Sequence, residues 1–257
     1  MDYSSDKIVL EVFTNQQYVM DQCQPTLAKN FIPEWWKSLP AARTDTNLYT
    51  DGSPVPISSM KQCPAINEIL KQGVIFPSWC ELHLKADKMG RLDQRVFPEH
   101  TALLPHDEQD WNFHKPDYAH VKVGAPWLIK EATGVKWLWI KPEWHMKEPT
   151  AYWGVPGIVE YKYQHAVLNN IMVKHGTSVK INTGDPWLQI IPMSEKPIEI
   201  KCQLVSDAEM NRLNSTNISS VGSYHKSIKN IKRQEGRLNE NNTVSYTHLT
   251  LPTSDLV

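Results

Sequence analysis

The chain has 257 residues, with 27 Lys and Arg against 28 Asp and Glu, a formal charge of −1, 40% apolar and 21% charged residues. That composition excludes the low-hydrophobicity, high-charge signature of disorder, and the length suits one large domain or two small ones. Near-neutral charge argues against a strong nucleic-acid binder, and no apolar run approaches the roughly 18 residues of a membrane span.

Ten Trp and 18 Pro stand against 11 Gly. Trp favours sheets and interfaces, and frequent Pro between short apolar runs favours strands and fixed turns over long helices. The first residues, MDYSSDKIVLEVF, place acids before the apolar stretch and do not read as a secretory signal. The four cysteines, Cys23, Cys63, Cys80 and Cys202, form no CxxC pair and are expected to be free thiols of a reducing compartment.

In chain order, residues 7–14 (KIVLEVFT) alternate and predict a strand. Residues 25–39 are partly helical, with Pro33 opening an EWWKSL turn that Pro40 ends. Trp35 and Trp36 are adjacent there, so both cannot face inward fully, and one is expected to plug the mouth of a barrel. Residues 45–60 read as a polar loop. Residues 63–72 (CPAINEILKQ) predict a helix with Pro64 near its start, Gly73 as its stop, and Ile66, Ile69 and Leu70 on one face.

From Gly73 the pattern is strand after strand: 74–85, 91–97, 125–131, 135–141, 157–164, 170–174, 178–182, 187–193 and 198–205. Ala132-Thr133-Gly134 reads as a tight hairpin between two of them, and Gly184-Asp185-Pro186 as another turn. The expected fold is mainly β, an antiparallel sandwich or jelly-roll-like barrel with short N-terminal helices and a helical C-terminal tail. The domain expectation is one β-rich domain over 1–205 and a polar, basic helical tail over 206–243 containing Lys226, Lys229, Lys232, Arg233 and Arg237. Residues 244–253, VSYTHLTLPT, resemble the translation of a widely used sequencing adapter. Residues 244–257 are therefore expected to be an artefact of environmental DNA assembly, with the natural chain running past Thr243.

No GxSxG, GxxxxGK[ST], HExxH or GxGxxG motif occurs. Three constellations could carry chemistry. The stretch from His100 to His120 is dense in imidazole and carboxylate. His106, Asp107, His114 and His120 are candidate ligands for iron, manganese or zinc, although no HxD…H or HxH spacing occurs, and a solvated loop packed on Trp111 is the alternative. On the predicted strand 157–164, Tyr161 and Tyr163 share a face with His165, and Glu160 lies on the other. Trp137 and Trp139 share a face, and Trp127 on the expected partner strand could stack on one of them. An exposed Trp set would make a platform, and a buried one is core. The candidate ligand-binding set at a barrel mouth is Trp127, Trp153, Tyr161 and His165.

The segments Phe31-Ile32-Pro33-Glu34-Trp35-Trp36-Lys37, Cys63-Pro64-Ala65, Pro77-Ser78-Trp79-Cys80, Trp111…Phe113-His114, Pro126-Trp127-Leu128-Ile129-Lys130, Pro156-Gly157-Ile158-Val159-Glu160 and Gly184-Asp185-Pro186-Trp187-Leu188-Gln189-Ile190-Ile191-Pro192 occur in that order along the chain. Together they resemble a tailed-phage protein family of unknown function. The resemblance runs in order from about Ile8 to Met193. It departs near Lys162, where an acidic residue is expected and only Glu160 is close. It implies a phage gene product made in the host cytoplasm and acting there or in the virion, with phage or host proteins as partners, and it carries no catalytic residue or cofactor.

Three functions follow as expectations. The first is a non-enzymatic assembly or host-interaction module using an aromatic β surface. The second is a small-molecule or carbohydrate binder through Trp127, Trp153, Tyr161 and His165. The third is a metal-dependent enzyme built on His106, Asp107, His114 and His120.

Overall fold

The computed structural model describes residues 6–50, 53–97, 103–105, 117–146, 151–214, 223–234 and 236. The chain divides into two compact units, Met1–Thr216 and Asn217–Val257. In the second unit the described element is a helix, Ser223–Gln234. Everything else below concerns the first unit, which is mainly β.

Its strands are β1 (Ile8–Thr14), β2 (Thr26–Leu27), β3 (Ala42–Thr50), β4 (Ser53–Ser58), β5 (Val74–Pro77), β6 (Glu81–Ala86), β7 (Leu92–Phe97), β8 (Leu103–Pro105), β9 (Tyr118–Glu131) and β10 (Lys136–Ile140). They continue as β11 (Tyr152–Val155), β12 (Gly157–Glu160), β13 (Ala166–Lys174), β14 (Ser178–Ile181), β15 (Pro186–Pro192) and β16 (Ile198–Leu204). Among the described residues four helices accompany them: α1 (Gln17–Gln22), α2 (Glu34–Ser38), α3 (Pro64–Lys71) and α4 (Asp207–Asn214).

A six-stranded sheet has the order β11-β13-β9-β1-β16, with β8 also on β9. A five-stranded sheet has the order β12-β10-β15-β5-β2, a three-stranded one β14-β6-β7, and β3 pairs with β4. Side-chain alternation explains how the three larger sheets share one interior. In β1, Ile8, Leu10 and Val12 are fully buried on one face, while Phe13 on the other packs with Leu128 and Leu213 of α4. The same core takes Trp137 and Trp139 from β10, Leu188 and Ile190 from β15, Leu82 and Leu84 from β6, and Val179 and Ile181 from β14. Asn169 of β13 donates to the Trp187 carbonyl at 3.1 Å, a buried polar tie between the two largest sheets.

The strand expected at residues 7–14, the helix at 63–72 with its Gly73 stop, and the strands at 91–97 and 135–141 stand within a residue or two of their observed positions. Other expectations are corrected. Residues 45–60 are not a loop for most of their length, because β3 and β4 form a ribbon. Pro54 and Pro56 are accommodated in that two-stranded ribbon, whose outer edges need no donor. The stretch 74–85 is two strands in two sheets. Pro77 lies opposite Pro186, and since neither has an N–H, the ladder stops there. Ser78 then donates to Asp185 O at 2.8 Å and accepts from Gly184 N at 2.7 Å.

The Ala132–Gly134 turn does not join paired strands either. β9 belongs to the six-stranded sheet and β10 to the five-stranded one, so Trp127 is not a hairpin neighbour of Trp137 or Trp139. The buried Glu131 carboxylate organises this crossing by accepting from the N–H groups of Thr133, Gly134 and Val135 at 2.6, 2.9 and 3.2 Å. The six-stranded sheet is not wholly antiparallel, because β1 and β16 run parallel from Ile8↔Ile198 to Thr14↔Leu204. Among the described residues no sheet closes into a barrel.

Gly73 marks the tightest backbone approach. Its φ is +78°, and a Cβ built there would sit 1.9 Å from the Ile190 carbonyl oxygen on β15. Gly73→Ala is therefore expected to lose at least about 3 kcal/mol, combining left-handed strain with a forced gap between β5 and β15. Urea unfolding checks this, and a loss below about 1 kcal/mol would show that the approach is not constrained as described.

Candidate functional site

The residues proposed from sequence as a ligand-binding set are held in different ways. Trp127 is buried in the common core at 1% exposure, and Trp153, on the edge strand β11, is 44% exposed. Tyr161 is fully buried, and its hydroxyl accepts from Trp139 Nε1 at 2.9 Å. Burial pushes that hydroxyl's pKa far up, so it serves as a neutral structural partner. His165 is buried, with Nδ1 2.8 Å from the Ile129 carbonyl. Tyr161, Tyr163 and His165 do share burial, but not through strand alternation: the strand ends at Glu160, whose carbonyl accepts from Tyr163 N and Gln164 N in a turn.

Of the metal candidates, His106, Asp107 and His114 lie outside the described residues. His120 is buried on β9 opposite Met172. Among the described residues no group of three or more His, Cys, Asp and Glu side chains could hold a metal ion. All four cysteines are free thiols. Cys23 and Cys80 are buried, and burial raises the pKa of Cys23 and pushes Cys202 up to about 11, which keeps both protonated and unreactive.

A cleft of about 580 Å³ lies elsewhere, lined by residues 30–35, His145 and residues 183–186. None of Trp127, Trp153, Tyr161 and His165 lines it. Its volume falls in the range of small-ligand sites. One wall is the segment leaving the short 3₁₀ turn Ala28–Asn30. Phe31 closes that turn, and Pro33, extended at φ −70° and ψ 152°, sets the start of α2. Pro33 is thus the residue before the helix rather than its first residue.

Trp35 and Trp36 on α2 divide as their adjacency requires: Trp36 is 4% exposed and Trp35 half-buried. Trp35 is fixed by an Nε1 bond to Met146 O at 3.0 Å and by two neighbouring rings, Trp36 at 5.5 Å edge-on and Trp144 at 6.5 Å, which also touch each other at 6.3 Å. Trp35 thus lines the cleft with its indole held in place. Such aromatic contacts contribute about 0.5–1.5 kcal/mol each beyond burial.

The turn from Thr183 to Pro186 also lines the cleft. Gly184 has φ +84°, and Asp185 Oδ2 accepts from Asn182 N and Nδ2 at 2.8 and 2.9 Å. The two backbone bonds to Ser78 pin this turn to the end of β5. His145, 2% exposed, completes the described lining: its Nε2 is 3.1 Å from Leu70 O, and the Phe31 ring stands edge-on at 6.5 Å.

Burial is the largest influence on His145 and lowers its pKa, partly offset by the backbone groups of Leu70 and Ala28. His165 is lowered too, first by burial and further by Lys130, against the backbone of Ile129 and Tyr161. Both imidazoles are therefore neutral at physiological pH, and the cleft's formal charges are the carboxylates of Glu34 and Asp185.

A histidine whose folded pKa is depressed takes up its proton in the unfolded chain first. Stability is thus fully present above the unfolded value near 6.5 and falls as pH drops below it, by up to about 1.4 kcal/mol per pH unit per histidine. Melting temperature is expected to decline from pH 7.5 to pH 5, and His145→Gln and His165→Gln should each flatten the decline. An unchanged slope in both variants would contradict the assignment. Neither a protein-family model nor a curated protein matches the chain.

Proposed function

We propose that the protein is a non-enzymatic recognition module of a tailed phage, made in the host cytoplasm and serving assembly or host interaction there or in the virion. Its scaffold reads as a sandwich of the six- and five-stranded sheets rather than a jelly roll. Its ligand seat is the cleft between residues 30–35 and 183–186. The observation that carries this reading is the lining itself. Phe31, Ile32, Pro33, Trp35 and Pro186 give apolar and aromatic area, and Asn30, Thr183, Glu34 and Asp185 give polar groups at its border. Two of the segments on which the phage resemblance rests, Phe31–Lys37 and Gly184–Pro192, supply most of that lining. Most of the tryptophans examined as a platform are spent on the interior, which moves the expected aromatic surface from the strands to this cleft.

The carbohydrate alternative keeps one specific support. Asn30, Thr183 and Asp185 share the cleft with the half-buried Trp35, the pairing of polar groups with an aromatic ring that a sugar face accepts.

Screening the ¹⁵N-labelled chain against aromatic fragments, saccharides and short peptides tests the reading. Shifts should cluster on the Trp35 indole and the Gly184 amide. Trp35→Ala should weaken the best hit at least about tenfold, equivalent to about 1.4 kcal/mol. Ile32→Ala, which leaves the Met146 bond in place, should weaken it with little change in melting temperature. Shifts that gather instead around Trp153, or nowhere, would overturn the assignment.

A further inference from the structure

We infer that the group seated in the cleft is a cationic side chain, an arginine or lysine presented by a partner polypeptide; this rests on the reading of the cleft as the ligand seat. Among the described residues the lining contains two carboxylates, Glu34 and Asp185, and no lysine or arginine. His145, also in the lining, is buried and held to the Leu70 carbonyl. The formal charge of that lining is therefore negative, which favours a positively charged group.

The two carboxylates are differently placed. Asp185 spends Oδ2 on Asn182, and its Oδ1 accepts no hydrogen bond among the described residues. Glu34 is exposed, and its contact with Lys37 is a 3.4 Å surface pair that an incoming cation can replace. The same lining includes Trp35, whose indole is held by Met146 and by the Trp36 and Trp144 rings. Ring faces attract cations, and Trp does so most strongly. A planar guanidinium can lie on that ring while its edges reach a carboxylate.

The partner is a polypeptide rather than a free amine because of the walls. About 580 Å³ exceeds one side chain, and the remaining space is bordered by Ile32, Pro33 and Pro186, which suit the apolar parts of flanking residues. Charge complementarity of this kind acts mainly on specificity and encounter rate and weakens with salt.

The test uses the full chain and four probes followed at the Trp35 indole signal: Ac-Gly-Arg-Gly-NH₂, its citrulline isostere, arginine amide alone, and a disaccharide of N-acetylglucosamine. The arginine peptide should bind saturably, at least tenfold more tightly than the citrulline peptide, and more tightly than arginine amide. Its affinity should fall with added salt and fall severalfold in Glu34→Gln, a change at an exposed position that leaves the fold intact. Equal binding of the citrulline peptide, or binding of the disaccharide alone, would overturn the cationic assignment while leaving the cleft as a ligand seat. Arginine amide binding as tightly as the tripeptide would overturn the polypeptide partner. No response at the cleft to any probe would overturn both readings.

Discussion

The pairing of β15 with β5 is the constraint on which the rest of the first unit depends. β15 is buried along almost its whole length, and it touches more of the molecule than its seven residues suggest. At one end Gly73 lets the two backbones approach to a distance that excludes any side chain. In the middle, buried Gln189 donates from Nε2 to Ile69 O and Gln72 O at 2.7 and 2.9 Å, closing carbonyls that the end of α3 leaves open. At the other end the facing prolines stop the ladder, and Ser78 takes up the Thr183–Pro186 turn. One strand thus fixes a helix terminus, the depth of a sheet and a wall of the cleft.

Tryptophan follows from the same geometry. Trp187 falls where the β15–β5 register shifts, and its ring meets Trp79 edge-on at 4.9 Å. Trp137 packs against Tyr161 at 6.1 Å, and Trp139 bonds its hydroxyl. Large rings fill the space between sheets where shorter aliphatic chains would leave voids, and voids in a core are costly. The Trp35, Trp36 and Trp144 group differs. It sits on short helical turns, and its half-buried member, Trp35, lines the cleft.

Local pattern made much of this legible. Alternation marked β1 and β10, and Pro64 with Gly73 bracketed α3, because these signals arise from neighbours in sequence. The parallel partner of β1 lies about 190 residues away, and no local signal reports such a pairing. The Ala132–Gly134 turn has hairpin composition, yet the Glu131 carboxylate uses it to pass between sheets. Turn chemistry specifies a reversal, not what the strands do afterward. Residues 157–164 alternate like a strand but bend at Glu160. The cleft was the least legible feature, since it joins residues 30–35, 145 and 183–186, three segments without periodicity. The signal that points to it is the clustering of Pro with Trp in Phe31–Lys37 and Gly184–Trp187, whose local patterns read only as a short helical segment and as a turn leading into a strand.

The proposed function rests on how rigid that junction is. A cleft with a turn pinned by backbone bonds and an indole held by a hydrogen bond and two neighbouring rings loses little freedom if a ligand enters, which suits a preformed surface. Native-state hydrogen exchange along a urea series tests this most directly. If β15 and β5 act as one unit, the amides of Ser78 and Gly184 should exchange with the same free energy as the deepest core amides, that of global unfolding. Exchange at those two amides through a local opening at least about 2 kcal/mol cheaper would contradict it, and the cleft would then be a shape that forms and dissolves while the core stays folded.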